Sequence, residues 1–374
     1  MSARPWRFLR RVAAMSAKEV VHIRRDPRTL YIALAMPVIM LILLGFGFSF
    51  DVDHIPLCIA DGDHSAAARE LGRAIFGSQD FAAVDGDSVA AAETALRRGQ
   101  AMAALVIPAG FERNLAPGRQ SPVELLVDGS DGNLARHILG KVEAIVRTVS
   151  LRRAGGALSP PLSVKVYTLW NPAGRSPLFM VPGLVAFLLA IAAVLLTALT
   201  VAGEWERGSM EQLFASPIGR LEIVLGKLLP YLALGMVQLL LVITMGSTVF
   251  DVPIRGSLPL IFLAGLFFLS GMLGQGLFIS VVARNQLVAT QAGALSSLVP
   301  ALILSGMLVP IENMPRILQA ITIVVPARYL VHALRTLMLK GGGFSVIALD
   351  LGAMLAFTVA ILALATLRFK RRLA

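Results

Sequence analysis

Residues 203–217 read Gly203-Glu204-Trp205-Glu206-Arg207-Gly208-Ser209-Met210-Glu211-Gln212-Leu213-Phe214-Ala215-Ser216-Pro217, a charge-dense run between two long apolar stretches. If Ser209–Ala215 is a short helix, Ser209 caps its start, Gln212 falls at the third helical position as in a capping box, and Pro217 ends it. A short, rigid, polar helix of this kind suits docking into a groove on a second protein, where it can transmit force without unfolding.

Reactive chemistry has little foothold elsewhere. A self-contained ATPase needs Gly-x-x-x-x-Gly-Lys-[Ser/Thr], whose glycines let backbone N–H groups approach phosphates. The nearest run, Gly219 to Gly226-Lys227-Leu228, has the wrong spacing, lacks the hydroxyl and opens an apolar helix. The histidines His22, His54, His64, His137 and His332 are scattered without ligand spacing, so no metal site is assigned. Asp61, His64 and Asp85 lie near turns, but no nucleophile motif such as Gly-x-Ser-x-Gly accompanies them. The single cysteine, Cys58, cannot form an internal disulfide and reads as a small buried residue at a strand start.

The elements around the polar run are those of a membrane protein. Of 374 residues, 56% are hydrophobic and 15% charged, more apolar surface than one soluble core needs. Six apolar blocks, near 29–50, 177–202, 225–249, 258–282, 287–309 and 344–367, are long enough to cross a hydrocarbon core of about 30 Å. No Lys, Arg or Glu lies well inside them, and the only acid is Asp350 near one end. The net charge of +11 is concentrated beside the spans rather than in a nucleic-acid-binding stripe. Arg4, Arg7, Arg10, Arg11, Lys18, Arg24, Arg25 and Arg28 precede the first span, and Arg368, Lys370, Arg371 and Arg372 follow the last. By the positive-inside rule both termini are expected in the cytoplasm, a parity that six spans satisfy.

The expected fold class is therefore a polytopic α-helical membrane protein with six transmembrane helices in a one-plus-five arrangement. Residues 1–28 form an amphipathic interfacial helix with Trp6, Leu9, Val12, Ala13, Ser16, Val20 and Ile23 on its apolar side, broken at Asp26-Pro27. The first span covers 29–50, with a kink expected at Pro37. Residues 51–175 carry 13 basic and 14 acidic residues that nearly cancel, and form an inserted extracytoplasmic α/β domain. Its strands are expected at Ile55–Ala60, Phe81–Val84, Met102–Ile107 and Val123–Val127, and its helices at Ser65–Phe76, Ser88–Gly99 and Leu134–Arg153, with Ser163–Leu169 a last extended piece. Residues 176–374 hold the other spans, with a cytoplasmic loop at 203–224 and an external loop at 310–343. In the external loop, Ala327–Leu339 is expected to lie at the outer surface with Arg328, Arg335 and Lys340 on its polar side.

The run Glu-x-Glu-x-Gly-[Ser/Thr]-x-Glu-x-Leu-x-x-[Ser/Thr]-Pro, followed by Gly226-Lys227, resembles the type 2 ABC exporter permeases with a large external domain. Arg25-Asp26-Pro27, Asn171-Pro172, Pro182-Gly183 and Pro326 with Tyr329 extend the resemblance over nearly the whole chain. It implies that the matching segment contacts a separate ABC ATPase subunit, with ATP and magnesium on that partner and no cofactor on this chain. The coupling residues would be Glu204, Glu206, Arg207, Gly208, Ser209, Glu211, Gln212, Leu213, Phe214 and Pro217. It also implies a second permease subunit, identical or paralogous, in a bacterial inner membrane. The wide external domain leaves room for a periplasmic adaptor protein.

Polar groups inside the spans are the natural place to seek a route, since lipid leaves hydrogen bonds unmet. Gln238, Gln275, Gln291 and Ser297 are the candidates, with helix packing as the competing explanation. The apolar spans suit an amphipathic or drug-like cargo. The rival function is a membrane-anchored receptor or adhesion module that binds a partner through 51–175, for which five further tightly looped spans would be an extravagant anchor.

Overall fold

The computed structural model describes residues 3–47, 54–115, 121–128, 132–153, 176–210 and 218–368. They fall into two compact units, one made of Met1–Ser49 with Leu169–Ala374 and the other of Phe50–Thr168.

The second unit is an α/β domain. Strands β1 (Ile55–Asp61), β2 (Phe81–Val84), β3 (Ala103–Ile107) and β4 (Glu124–Val127) form one sheet in the order β2-β1-β3-β4. The first three are parallel, with Ile55 opposite Phe81 and Leu57 opposite Ala103, and β4 runs antiparallel to β3 with Val127 opposite Ala103. Alternation along β1 sorts the core into two faces. Ile55 and Leu57 join Leu71 and Ile75 of the helix Ala66–Phe76 and Ile138 and Val142 of the helix Gly132–Arg153. Cys58 and Ala60 join Ala92 and Ala95 of the helix Val89–Arg97. Cys58 is thus fully buried, and that burial, with Asp85 nearby, pushes its thiol pKa up. Ser65 and Ser88 cap their helices by accepting from Ala68 N and Ala91 N. The short helix Phe111–Leu115 falls outside the sequence expectations. Ser163–Leu169 lies outside the described residues.

The first unit is a helical bundle. Helix α1 (Ala3–Arg25) is followed, after Asp26, by α2 (Pro27–Leu30), a π turn (Tyr31–Ala35) and α3 (Met36–Gly47). The π turn lies where Pro37 removes the N–H that Ala33 would otherwise receive. The apolar stretch Tyr31–Gly47 is shorter than the five helices that are long enough to cross a membrane. Those five are α4 (Ser176–Glu206), α5 (Arg220–Val249), α6 (Leu258–Ala283), α7 (Gln286–Ile303) and α10 (Phe344–Arg368), counting only membrane-unit helices here and below. Between the last two, α8 (Arg316–Thr322) and α9 (Pro326–Arg335, continued as a π turn to Lys340) are bent by 85° at the break and together pass the same test of length and hydropathy.

Helix α4 is apolar on every side and accordingly sits at the centre, packed by α6, α7, α5, α9 and α3. A Cβ on Gly276 would lie 2.4 Å from Val194 O, so only glycine lets α6 approach α4 so closely. Helix α9 is not a surface helix as the amphipathic pattern suggested. Leu330, Ala333, Leu334, Leu337 and Met338 are fully buried within the bundle. Arg335 turns its guanidinium onto Phe179 O, Gly306 O and Met307 O and stacks 3.7 Å from the Phe179 ring. The same periodicity serves a helix lying on a surface and one inserted with its polar edge on backbone carbonyls. His332 Nδ1 lies 2.7 Å from Asp350 Oδ2, which gives the acid noted near one end of the last span its partner.

Candidate functional site: buried charges beside the 204–217 segment

Helix α4 continues through Glu206, and α5 begins at Arg220, so the connection is shorter than the 203–224 expected from hydropathy alone. That places Glu204 inside the last turn of α4, where it is buried. One carboxylate oxygen accepts from Lys18 Nζ at 3.2 Å, and the other is in close contact with Lys227 Nζ. Lys227 also reaches Glu19 Oε1 at 2.9 Å. The Lys227 and Glu19 side chains are only 2% and 1% exposed. Two ammoniums thus meet two carboxylates, one of each from α1, one acid from α4 and one base from α5. The set is electrically balanced, without which burial of its charges would be strongly unfavourable.

Tyr231, one turn beyond Lys227, extends the network. Its hydroxyl lies 3.1 Å from Thr200 Oγ1 and 3.5 Å from Glu19 Oε2. Thr200 Oγ1 donates to Leu196 O, so it accepts from the tyrosine. Pro230 cannot donate to Gly226 O, four residues before it; Ser16 Oγ of α1 donates there instead at 3.1 Å. A Cβ on Gly226 would lie 2.6 Å from Met15 Cβ, so α1 crosses α5 in direct contact at that glycine. Arg11 pairs with Glu222, whose carboxylate also accepts from Gly219 N and fastens the start of α5.

Helix α1 therefore turns only one edge of the expected apolar side, Val12 and Ile23, to the bundle, together with Met15 and Glu19 beside it. Val12, Met15, Glu19 and Ile23 are buried, while Trp6, Leu9, Ala13 and Val20 remain exposed. Two apolar stripes flank the same helix, and only one of them packs on the bundle.

The other side of the α4 terminus is tied to the turn between α6 and α7. Glu206 Oε1 accepts from Gln286 N at 2.8 Å, which satisfies an N–H in the first turn of α7. Arg284 lies 4.8 Å over the Trp205 ring, and Gly203 lets the Gln286 side chain approach. Arg207 is exposed, Gly208 has φ +70°, and Ser209 donates to Glu204 O at 3.2 Å. Glu211, Gln212, Leu213, Phe214 and Pro217 lie outside the described residues, and with them the capping partner expected for Ser209.

The polar residues named inside the spans are dispersed. Gln275 and Ser297 line one cavity; Gln238 is buried and donates to Leu188 O; Gln291 is exposed on α7. Glu19, Lys227, Tyr231 and Thr200 were not assigned a site role from sequence. The available signal was Glu19, the one acid of an otherwise basic helix, a helical turn from Met15 on one side and Ile23 on the other. In the α/β unit, Asp61 accepts from the Asp63 and His64 amides and so closes a turn, while His64 is exposed. No cluster of three or more metal-ligating side chains occurs among the described residues.

A mostly helical chain with five helices, or six elements if the bent pair counts as one, long and apolar enough to cross a membrane, two of them joined by a polar segment braced by buried ion pairs, has the form of a polytopic membrane protein. The chain belongs to the ABC-2 family transporter proteins, whose model matches residues 27–367. It is 34% identical over 368 residues to "Probable multidrug ABC transporter permease YbhS" of Escherichia coli (strain K12), covering 97% of this chain and 98% of that one. It is 28% identical over 364 residues to "Probable multidrug ABC transporter permease YbhR" of the same strain, at 97% and 99% coverage. "Linearmycin resistance permease protein LnrN" of Bacillus subtilis (strain 168) is 21% identical over 377 residues, at 93% and 96% coverage. The chain is thus a multi-pass permease subunit of an ABC transporter.

Proposed function

We propose that the chain exports amphipathic, drug-like molecules from the cytoplasm or inner leaflet, driven by ATP and magnesium held on a separate ABC ATPase that docks on the 204–217 segment. The observation that carries this reading is the cluster of Glu19, Lys227, Glu204 and Lys18, which fixes the base of that segment to two other helices. A push on an exposed loop is lost as local bending unless its base is rigid. Here the load from Arg207, Gly208 and the residues up to Pro217 passes through Glu204 to α5 and α1, and through Glu206 to α7. Glu204 and Glu206 act as anchors on this reading, and Arg207, Glu211 and Phe214 as contacts.

ATP binding closes a pair of motor subunits and biases two paired permeases, identical or paralogous, between inward- and outward-open states. A shift from mostly one state to mostly the other needs about 5 kcal/mol of differential affinity. Both termini and the docking segment are cytoplasmic on this reading, the α/β unit lies in the periplasm, where an adaptor protein has room to bind, and the membrane is the bacterial inner membrane. The names of the Escherichia coli relatives support a drug-like cargo.

Co-expression with an ABC ATPase and purification through a tag on the permease tests the reading. The pair should co-purify, and Arg207→Glu with Glu211→Lys should release the ATPase and abolish export. Retention of the ATPase and undiminished export by that double variant would sink the docking assignment.

A further inference from the structure

A cavity of about 360 Å³ opens between α6, α7, α10 and the bend that precedes α9. Met272, Phe278, Ile279, Pro300, Phe357 and Ile361 supply most of its apolar wall, and residues 324–327 at the bend close one side. Its volume is near the lower end for small-molecule sites, which are mostly apolar with a few convergent polar groups. Residues 272–279 and 357–361 lie well inside α6 and α10, two helices long and apolar enough to cross a membrane, and 296–301 lie in the C-terminal half of α7, so the cavity is walled by membrane-crossing helices. Non-helical backbone is tolerated there where it lines a cavity.

The origin of the polar patch is chemical. Pro300 has no N–H, so Ser296 O loses its helical donor. Gln275 Nε2 replaces it, lying 3.3 Å from Ser296 O and 3.1 Å from Ser296 Oγ. Because a carbonyl accepts only, the Gln275 amide must turn its nitrogen to Ser296, which leaves its Oε1 without a hydrogen bond among the described residues. The hydroxyls of Ser296 and Ser297 both donate to Gly293 O. Every donor of these three lining residues is spent on the protein, and the hydrogen-bonding capacity left over, Gln275 Oε1 foremost, is acceptor capacity. No Asp, Glu, Lys or Arg lines it. A cation would find no counter-charge, and an anion no donor.

We propose that this cavity binds a small, neutral, largely apolar molecule carrying one hydroxyl or N–H donor, which is given to Gln275 Oε1 while the body packs between Phe278 and Phe357. That this occupant is transported cargo rests on the export reading above; that it binds does not.

A matched pair of probes separates these ideas: 2-naphthol, which has the donor, and 2-methoxynaphthalene, which lacks it. Their saturable binding is measured to the permease–ATPase complex in phosphatidylcholine nanodiscs, with empty nanodiscs subtracted. Naphthol should bind about fivefold more tightly, the worth of one net hydrogen bond. Ala301→Phe, which fills the cavity, should abolish binding of both probes. Gln275→Leu combined with Pro300→Ala, which returns an N–H to Ser296 O, should bind both equally at the ether's affinity. Equal binding of the two probes by the unaltered protein, the result expected if a lipid acyl chain occupies the cavity, overturns the proposal, as does naphthol binding that survives Ala301→Phe. Failure here with the ATPase still bound and hydrolysing ATP sinks the site alone; loss of the ATPase with naphthol binding intact sinks the export reading alone.

Discussion

The membrane unit contains two polar regions built on the same irregularity and finished in opposite ways. Pro230 in α5 and Pro300 in α7 each strip a backbone carbonyl of its donor. At Gly226 O the replacement is Ser16, brought by a helix whose charges then fill the surroundings, so that Glu19, Lys227 and Glu204 are buried and Lys18 closes the set from the exposed side. At Ser296 O the replacement is Gln275, and the space beside it stays open and uncharged. Ion pairs in a low-dielectric setting have one favourable arrangement and resist sliding, whereas a neutral amide beside apolar walls tolerates exchange of occupants. The first region is suited to holding helices together under load. The second is suited to admitting something.

The sharpest way to break this contrast is to remove the central cation. Lys227→Met leaves buried Glu19 without its cation and buried Glu204 with Lys18 alone, and should cost about 3–5 kcal/mol. The measurement is loss of the folded protein in detergent thermal unfolding. Removing all three charges together, as Glu19→Gln, Lys227→Met and Glu204→Gln, should recover most of that loss, because well-packed neutral groups can replace a buried ion set. If the cluster transmits load, the triple variant should hydrolyse ATP with its partner yet export poorly. Export at the unaltered rate would reduce the cluster to a packing device.

The neutral region should give a smaller effect with a different rescue. Gln275→Leu orphans Ser296 O and should cost about 1–3 kcal/mol, and Pro300→Ala in the same chain should restore most of it by returning the N–H. At the other proline, Ser16→Ala removes one hydrogen bond to Gly226 O and should cost about 1 kcal/mol, with Pro230→Ala as the corresponding rescue. Both cycles are read as shifts in unfolding midpoint, and additive effects in either one would break the shared-proline explanation.

Much of this architecture was legible in the sequence because hydropathy fixes it locally. The long apolar helices, the break at Asp26-Pro27 and the strands of the sheet follow from length, proline and alternation. The partners of buried polar groups were not legible, because pairing is a long-range event. Glu19 and Lys227 are 208 residues apart, and nothing near either position announces the other. The prolines were visible, but not the side chains that satisfy the carbonyls they free. Helix α9 was misplaced at the surface because an amphipathic stripe does not specify whether its apolar side meets lipid headgroups or other helices. The end of α4 was drawn too early for a related reason: Glu204 looks like a loop residue until its two lysines are known.

The α/β unit extends the comparison to a carboxylate in water. Asp63 is only partly buried, and its carboxylate accepts from Gly110 N at 2.6 Å and Glu112 N at 3.0 Å. The Ser65 side chain foremost, then the Glu112, Gly110 and Phe111 amides, hold its pKa below the ordinary aspartate value. A lowered folded-state pKa means that the stabilisation is fully present above the unfolded value of about 3.9 and is lost as pH falls through the folded value. Hydrogen exchange at the Gly110 and Glu112 amides, measured on the intact chain and corrected for intrinsic rates, should therefore stay protected at neutral pH and rise below about pH 4. Asp63→Asn should flatten that pH dependence while leaving the bundle helices unchanged. Because this carboxylate can recruit water when its partners are lost, its substitution should be the mildest of those considered, and an effect as large as that of Lys227→Met would mean that burial is not what separates the two sites.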